Sequence, residues 1–115
     1  LFDTAALVRA LREAGYCILV VSNQSGIARG MFTAAEVDAL HRFVNTELAA
    51  SGTQIDGFYY CPHHPEFSGD CSCRKPKPGM LLTAAAEHRI DLSHSWMIGD
   101  KRIDVEAALP LVFAR

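Results

Sequence analysis

The chain has 115 residues, half of them hydrophobic, and a formal net charge of −2. That is enough for one domain with a modest core. Interleaved acids and bases argue against a nucleic-acid or membrane partner, and no apolar run approaches the ~20 residues that cross a bilayer. No signal-peptide pattern opens the chain, and three of its four cysteines fall in one local set, so a reducing cytoplasm is the expected setting.

In chain order, helix and strand alternate. Asp3-Thr4 suits the N-cap of a helix with Leu7, Val8 and Leu11 on one face, ending near Gly15. Tyr16 to Val21 is a continuous apolar run, which predicts a strand buried on both faces of a parallel sheet, with Cys17 a small core residue. A polar loop follows from Ser22 to Gly30. Thr33 with Glu36 forms a capping box opening a long helix, which turns Val37, Leu40, Val44 and Leu48 inward and closes at Gly52. Phe58-Tyr59-Tyr60 reads as a short strand. Pro78-Gly79 introduces a helix from about Met80 to His88, and Trp96-Met97-Ile98 reads as a further strand ending at Gly99-Asp100. A last helix starts after Asp104 and reaches Ala108, leaving Leu111 to Phe113 as either a strand or unrelated residues. The fold class is α/β, a Rossmann-like parallel sheet with crossover helices, and residues 1–115 form one domain.

Cys61, His63, Cys71 and Cys73 make a C-x-H and a C-x-C pair seven residues apart. Three sulfurs and one imidazole form a complete tetrahedral set for zinc, and a set with no open position is structural rather than catalytic. A chance cluster and a pair of disulfides are the alternatives. His64 is read as a loop residue beside the complete set. His41, His88 and His94 sit on helices or helix ends and are read as surface residues.

In open α/β sheets ligands bind beyond the carboxyl ends of the strands. Three polar motifs fall there. Ser22-Asn23-Gln24-Ser25-Gly26 offers a hydroxyl, amides and a close backbone approach for a phosphoryl group. Arg74-Lys75 directly follows the cysteine pair and supplies a planar fork and a point charge. Gly99-Asp100-Lys101 with Asp104 offers one carboxylate for Mg²⁺ and another four residues on to orient it through water. Each alone has an ordinary reading: a βα turn, a solvated basic pair, a helix cap.

Hydroxyl, lysine and GDxxxD in that order resemble the haloacid dehalogenase superfamily of phosphatases. Within it, Ser22 to Gly30, Cys61-Pro62-His63-His64 and Cys71 to Pro76 look like the heptose-bisphosphate phosphatase family. Histidinol-phosphate phosphatases share the zinc loop and Arg-Lys-Pro, but Ser25-Gly-Ile-Ala-Arg-Gly30 is more like the heptose enzymes. The resemblance covers Asp3 to about Ala108. It implies a Mg²⁺-dependent monomeric phosphatase of a phosphorylated sugar, serving the ADP-heptose branch of lipopolysaccharide core synthesis, with a structural zinc loop over residues 61–75. It implies that Ser22 and Lys75 stabilise the transferring phosphoryl group and that Asn23, Gln24, Ser25, Arg74 and Lys101 bind substrate. It further implies zinc on Cys61, His63, Cys71 and Cys73, and Mg²⁺ on Asp100 with Asp104 behind it.

One departure stands out. The family attacks phosphate with the first aspartate of D-x-D-G-[TS] at the end of the first strand, and residues 1–115 contain no such motif. Asp3 has only two residues before it and is explained as a helix cap. The domain is therefore expected to be incomplete, lacking its central first strand, inactive by itself and prone to aggregate. A catalytically silent zinc-stabilised anion-binding protein is the other reading.

Overall fold

The computed structural model describes residues 3–99 and 101–113, the last five of these by backbone alone. Helix α1 runs Thr4–Glu13 and begins as its sequence dictates: the Asp3 carboxylate accepts the Ala6 N–H at 3.1 Å. Strand β1 is Leu19–Asn23, helix α2 Ala34–Ala49 and strand β2 Gly57–Cys61. Short helix α3 (Pro65–Ser68), helix α4 (Gly79–His88), a 3-10 turn at Leu92–His94 and helix α5 (Arg102–Phe113) complete the order. The capping box opening α2 is present, with Thr33 and Glu36 satisfying each other's backbone N–H groups.

β1 and β2 pair in a two-stranded sheet. Asp56 N–H donates to the Ile18 carbonyl, and six residues further along, Gln24 N–H donates to the Cys61 carbonyl. Partners that advance together along both strands mean the pair is parallel. None of the described helices is long and apolar enough to cross a membrane.

Two compact units divide the chain, with the boundaries falling inside β1 and at the middle of β2. The first, residues 1–20 and 32–58, buries Val8, Val37, Leu48 and Ile55. Asp56 is its polar hub: it takes the Ile18 N–H at 2.8 Å and pairs with Arg12 at 3.1 Å. Burial opposes ionisation of Asp56, but the Ile18 N–H and the Arg12 guanidinium outweigh it and hold the carboxyl below its ordinary range. The second unit, residues 21–31 and 59–115, buries Cys61, Met80, Ala84 and Ala107.

Several sequence expectations need correction. The first strand starts later than Tyr16 and includes Ser22 and Asn23, and all five of its residues are half-buried. In a two-stranded sheet each strand is an edge, so neither face nor backbone is fully covered. Cys17 is exposed rather than a core residue. On α1 and α2, Leu7 and Leu40 face outward, and Val8, Val37 and Leu48 carry the packing. Trp96-Met97-Ile98 forms no strand, and Trp96 and Ile98 are about four-fifths exposed, at 80% and 79%. An apolar run becomes a strand only where another strand accepts its hydrogen bonds, and the sheet of the described residues stops at β2. At the other end, α5 continues past Ala108 and takes in the backbone of Leu111 to Phe113.

Candidate metal centre and active site

β2 ends at Cys61, and the loop after it carries the rest of the Cys/His set. Cys61 Sγ lies 3.4 Å from His63 Nδ1 and 3.5 Å from Cys71 Sγ, and that same Nδ1 lies 3.4 Å from Cys73 Sγ. All four ligand atoms fall within 4.8 Å of one another. Zinc bonds to sulfur and imidazole nitrogen imply tetrahedral edges of about 3.5–3.8 Å, so the donor atoms already sit near the corners of a zinc site. The disulfide alternative falls, because that bond is about 2 Å long and all four cysteines are free.

Electrostatics point the same way. Burial resists ionisation of Cys71, yet the Arg74 N–H, the Cys61 thiol and the Cys73 N–H draw its pKa down to about 6. Cys73 is pushed up to about 12, by burial first and then by the Cys61 and Cys71 sulfurs beside it. Three sulfurs at this spacing cannot all carry charge without a cation among them, and a divalent, thiophilic ion meets that need. Among the described residues no other His, Cys, Asp or Glu group is arranged to hold a metal.

The loop is braced from outside the ligand set. Arg74 Nη1 donates to the His63 carbonyl at 3.3 Å, and Lys77 Nζ donates to the Cys71 carbonyl at 2.6 Å. Sequence reasoning passed over Lys77; its place two residues after Lys75 was the only signal. Gly79 N–H donates to the Ser72 carbonyl, and a Cβ at Gly79 would lie 2.2 Å from that oxygen, so the loop can close onto α4 only over a glycine. His64 Nδ1 accepts the Glu66 N–H at 3.1 Å and caps α3. Of the remaining histidines, His94 is exposed beside Asp91 and His88 meets the edge of the Tyr59 ring. His41 departs from a plain surface reading, since it stacks on Phe58 at 4.2 Å and burial lowers its pKa.

The second cluster gathers at the end of β1. Lys75 Nζ donates to the Val21 carbonyl at 3.2 Å and pairs with the Asp104 carboxylate. Both side chains are nearly covered, at 12% and 7% exposed. The Lys75 hydrogen bond, reinforced by the Lys101 N–H at 3.2 Å, holds the Asp104 carboxyl below its ordinary range despite its burial. Gly99 lies against the same carboxylate: a Cβ there would be 2.3 Å from Asp104 Oδ2. The glycine of the GDxxxD motif thus makes room for its last aspartate. Asn23 bonds the Lys75 backbone, and Lys75 joins Pro76 through a cis peptide.

Sequence-predicted residues therefore fall into distinct groups. The four proposed zinc ligands converge. Asn23, Lys75, Lys101 and Asp104 are joined by hydrogen bonds. Ser22 Oγ accepts a bond from Gln24 Nε2 at 3.4 Å, and the Ser25 carbonyl accepts the Arg29 N–H inside the turn that follows β1. Arg74 is engaged with the Cys/His loop through the His63 carbonyl. Asp100 lies outside the described residues.

The chain resembles known proteins in both sequence and fold. A family model described as HAD-hydrolase-like matches residues 72–110. The D-glycero-β-D-manno-heptose-1,7-bisphosphate 7-phosphatase of Yersinia pestis is 51% identical over 106 residues, 88% of this chain and 56% of that protein. Its namesake in Escherichia coli K12 is 48% identical over 107 residues, again covering 56% of the relative. A crystal structure of the D,D-heptose 1,7-bisphosphate phosphatase of B. bronchiseptica, complexed with magnesium and phosphate, superposes with a TM-score of 0.86 at 35% identity, covering 95% of this chain and 60% of that one. The chain spans a little over half the length of these relatives. It has the haloacid dehalogenase-like hydrolase fold, and in sequence it groups with the heptose-bisphosphate phosphatases.

Proposed function

We propose that this chain belongs to a Mg²⁺-dependent phosphatase that removes the 7-phosphate of D-glycero-D-manno-heptose 1,7-bisphosphate. The observation that carries this reading is the 51% identity to a phosphatase of that name across 88% of the chain. The reading includes a monomeric cytoplasmic enzyme in the ADP-heptose branch of lipopolysaccharide core synthesis.

In this reading Ser22 donates its hydroxyl to the phosphoryl oxygens at the end of β1. Lys75 supplies a positive charge where negative charge builds up as the phosphoryl group transfers, and such fixed charges provide most of the rate in this chemistry. Asp104 keeps that ammonium in place. Gln24, Ser25, Arg74 and Lys101 line the sugar-phosphate pocket. Cys61, His63, Cys71 and Cys73 hold zinc, which fixes the loop carrying Arg74 and Lys75. Asp100 is the carboxylate for Mg²⁺, which when bound neutralises phosphoryl charge. The nucleophilic aspartate of the family is not among residues 1–115.

The deciding assay is phosphate release by the protein as the cell makes it, with the heptose bisphosphate and with histidinol phosphate as competing substrates. The expected result is Mg²⁺-dependent hydrolysis of the heptose compound, with kcat falling roughly 100- to 1000-fold in Lys75→Ala. Preference for histidinol phosphate would move the chain to that sister activity, and hydrolysis of neither would leave only the zinc-stabilised binding role.

A further inference from the structure

Asn23 is the last residue of β1, and its side-chain amide does something that its position in a substrate-binding motif does not announce. Its Oδ1 accepts the Lys75 N–H at 3.0 Å, and its Nδ2 donates to the Lys75 carbonyl at 3.3 Å. One amide thus grips both backbone groups of a single residue 52 positions away. The orientation of the amide is dictated, because flipping it would set donor against donor and acceptor against acceptor at the two ends. Asn23 is itself anchored, since the next residue, Gln24, donates its N–H to the Cys61 carbonyl at 2.8 Å.

The grip matters because of what Lys75 does with its other end. Its ammonium reaches the Val21 carbonyl and Asp104. A lysine side chain has four rotatable carbons and a charge that forms no directional fork. A charge placed on such a stem is only as well positioned as the backbone carrying it. We infer that Asn23 is a positioning residue for Lys75, clamping the Lys75 backbone at the end of β1 so that the ammonium is fixed where phosphoryl charge develops. The inference rests on the phosphatase reading for its catalytic consequence and on the geometry alone for the clamp. A leucine or alanine at this place would leave both Lys75 backbone groups without their partner. Aspartate keeps the acceptor for the N–H and loses the donor to the carbonyl.

Two measurements separate the clamp from the activity. Amide hydrogen exchange at Lys75 is read by NMR in the wild type, Asn23→Ala and Asn23→Asp, and steady-state kinetics follow on the same proteins with the heptose bisphosphate. Asn23→Ala is expected to expose the Lys75 amide and to lower kcat roughly 10- to 100-fold, the range for losing a supporting partner of a working group, with KM within about twofold. Asn23→Asp is expected to keep the amide protected and to recover part of kcat. An unchanged Lys75 exchange rate in Asn23→Ala overturns the clamp. A KM raised about tenfold with kcat intact overturns the positioning role and makes Asn23 a substrate contact. Should Asn23→Ala lose zinc or fail to fold, Asn23→Asp decides: an unprotected Lys75 amide there refutes the inference. If the wild type hydrolyses nothing, the phosphatase reading falls while the exchange data still judge the clamp.

Discussion

At the scale of single residues, the Lys75–Asp104 pair carries a large energetic consequence. Each partner is buried deeply enough that losing the other strands a charge away from water. Breaking such a pair costs about 3–5 kcal/mol. Asp104→Asn is therefore expected to destabilise the protein by about 3 kcal/mol, measured by urea unfolding with Lys75 left in place. The sign of the pH dependence follows from the direction of the shift. The Asp104 carboxyl is held below its ordinary range by Lys75, so its contribution is complete above about pH 4, the ordinary carboxylate value, and fades as pH falls through the lowered one. Acid titration of stability should thus be shallower in Asp104→Asn than in the wild type. A variant as stable as the parent, with the same acid limb, would show that the pair contributes nothing.

At the scale of elements, the clustering of the Cys/His loop and the capped helices are the parts most legible from sequence. Asp3, Thr33 and Glu36 act through bonds to neighbours three residues away, and local chemistry of that kind needs no knowledge of the fold. The Cys/His set was legible for the same reason, since its spacing within one loop already limits its geometry. The apolar run Trp96-Met97-Ile98 was misread because a strand is a property of two segments, and composition reports on only one. The bond from Asn23 to the Lys75 backbone is not legible in the sequence, because a backbone partner has no sequence signature at all. The loop yields its own test: purified protein should carry about one zinc per chain, and Cys73→Ser should lower that content and shift the melting temperature down together. A Cys73→Ser protein that keeps its zinc and its melting point would refute the assignment.

For the whole molecule, what the folded chain leaves uncovered is as informative as what it buries. Among the described residues Trp96, Ile98, Met31, Phe67 and Phe43 are all more than half exposed. Trp96 is the only tryptophan, so intrinsic fluorescence reports on this one segment. Residues 1–115 expressed alone should show water-like, red-shifted emission that acrylamide quenches readily, changing little on unfolding. Blue-shifted, protected emission would mean that something covers Trp96, a second copy included. The expectation of aggregation belongs here too, since exposed aromatic and aliphatic side chains favour association.

The Cys/His set has one more consequence, which concerns tolerance. Segment 64–70, with α3 inside it, is bounded at one end by His63 and at the other by Cys71. A metal held by the set would fix both ends of this segment. Changes of length or composition within that segment are expected to leave Arg74 and Lys75 in place, because Arg74 bonds the His63 carbonyl and Asn23 bonds the Lys75 backbone. A metal there would leave one stretch of surface free to vary beside a site that is held in place.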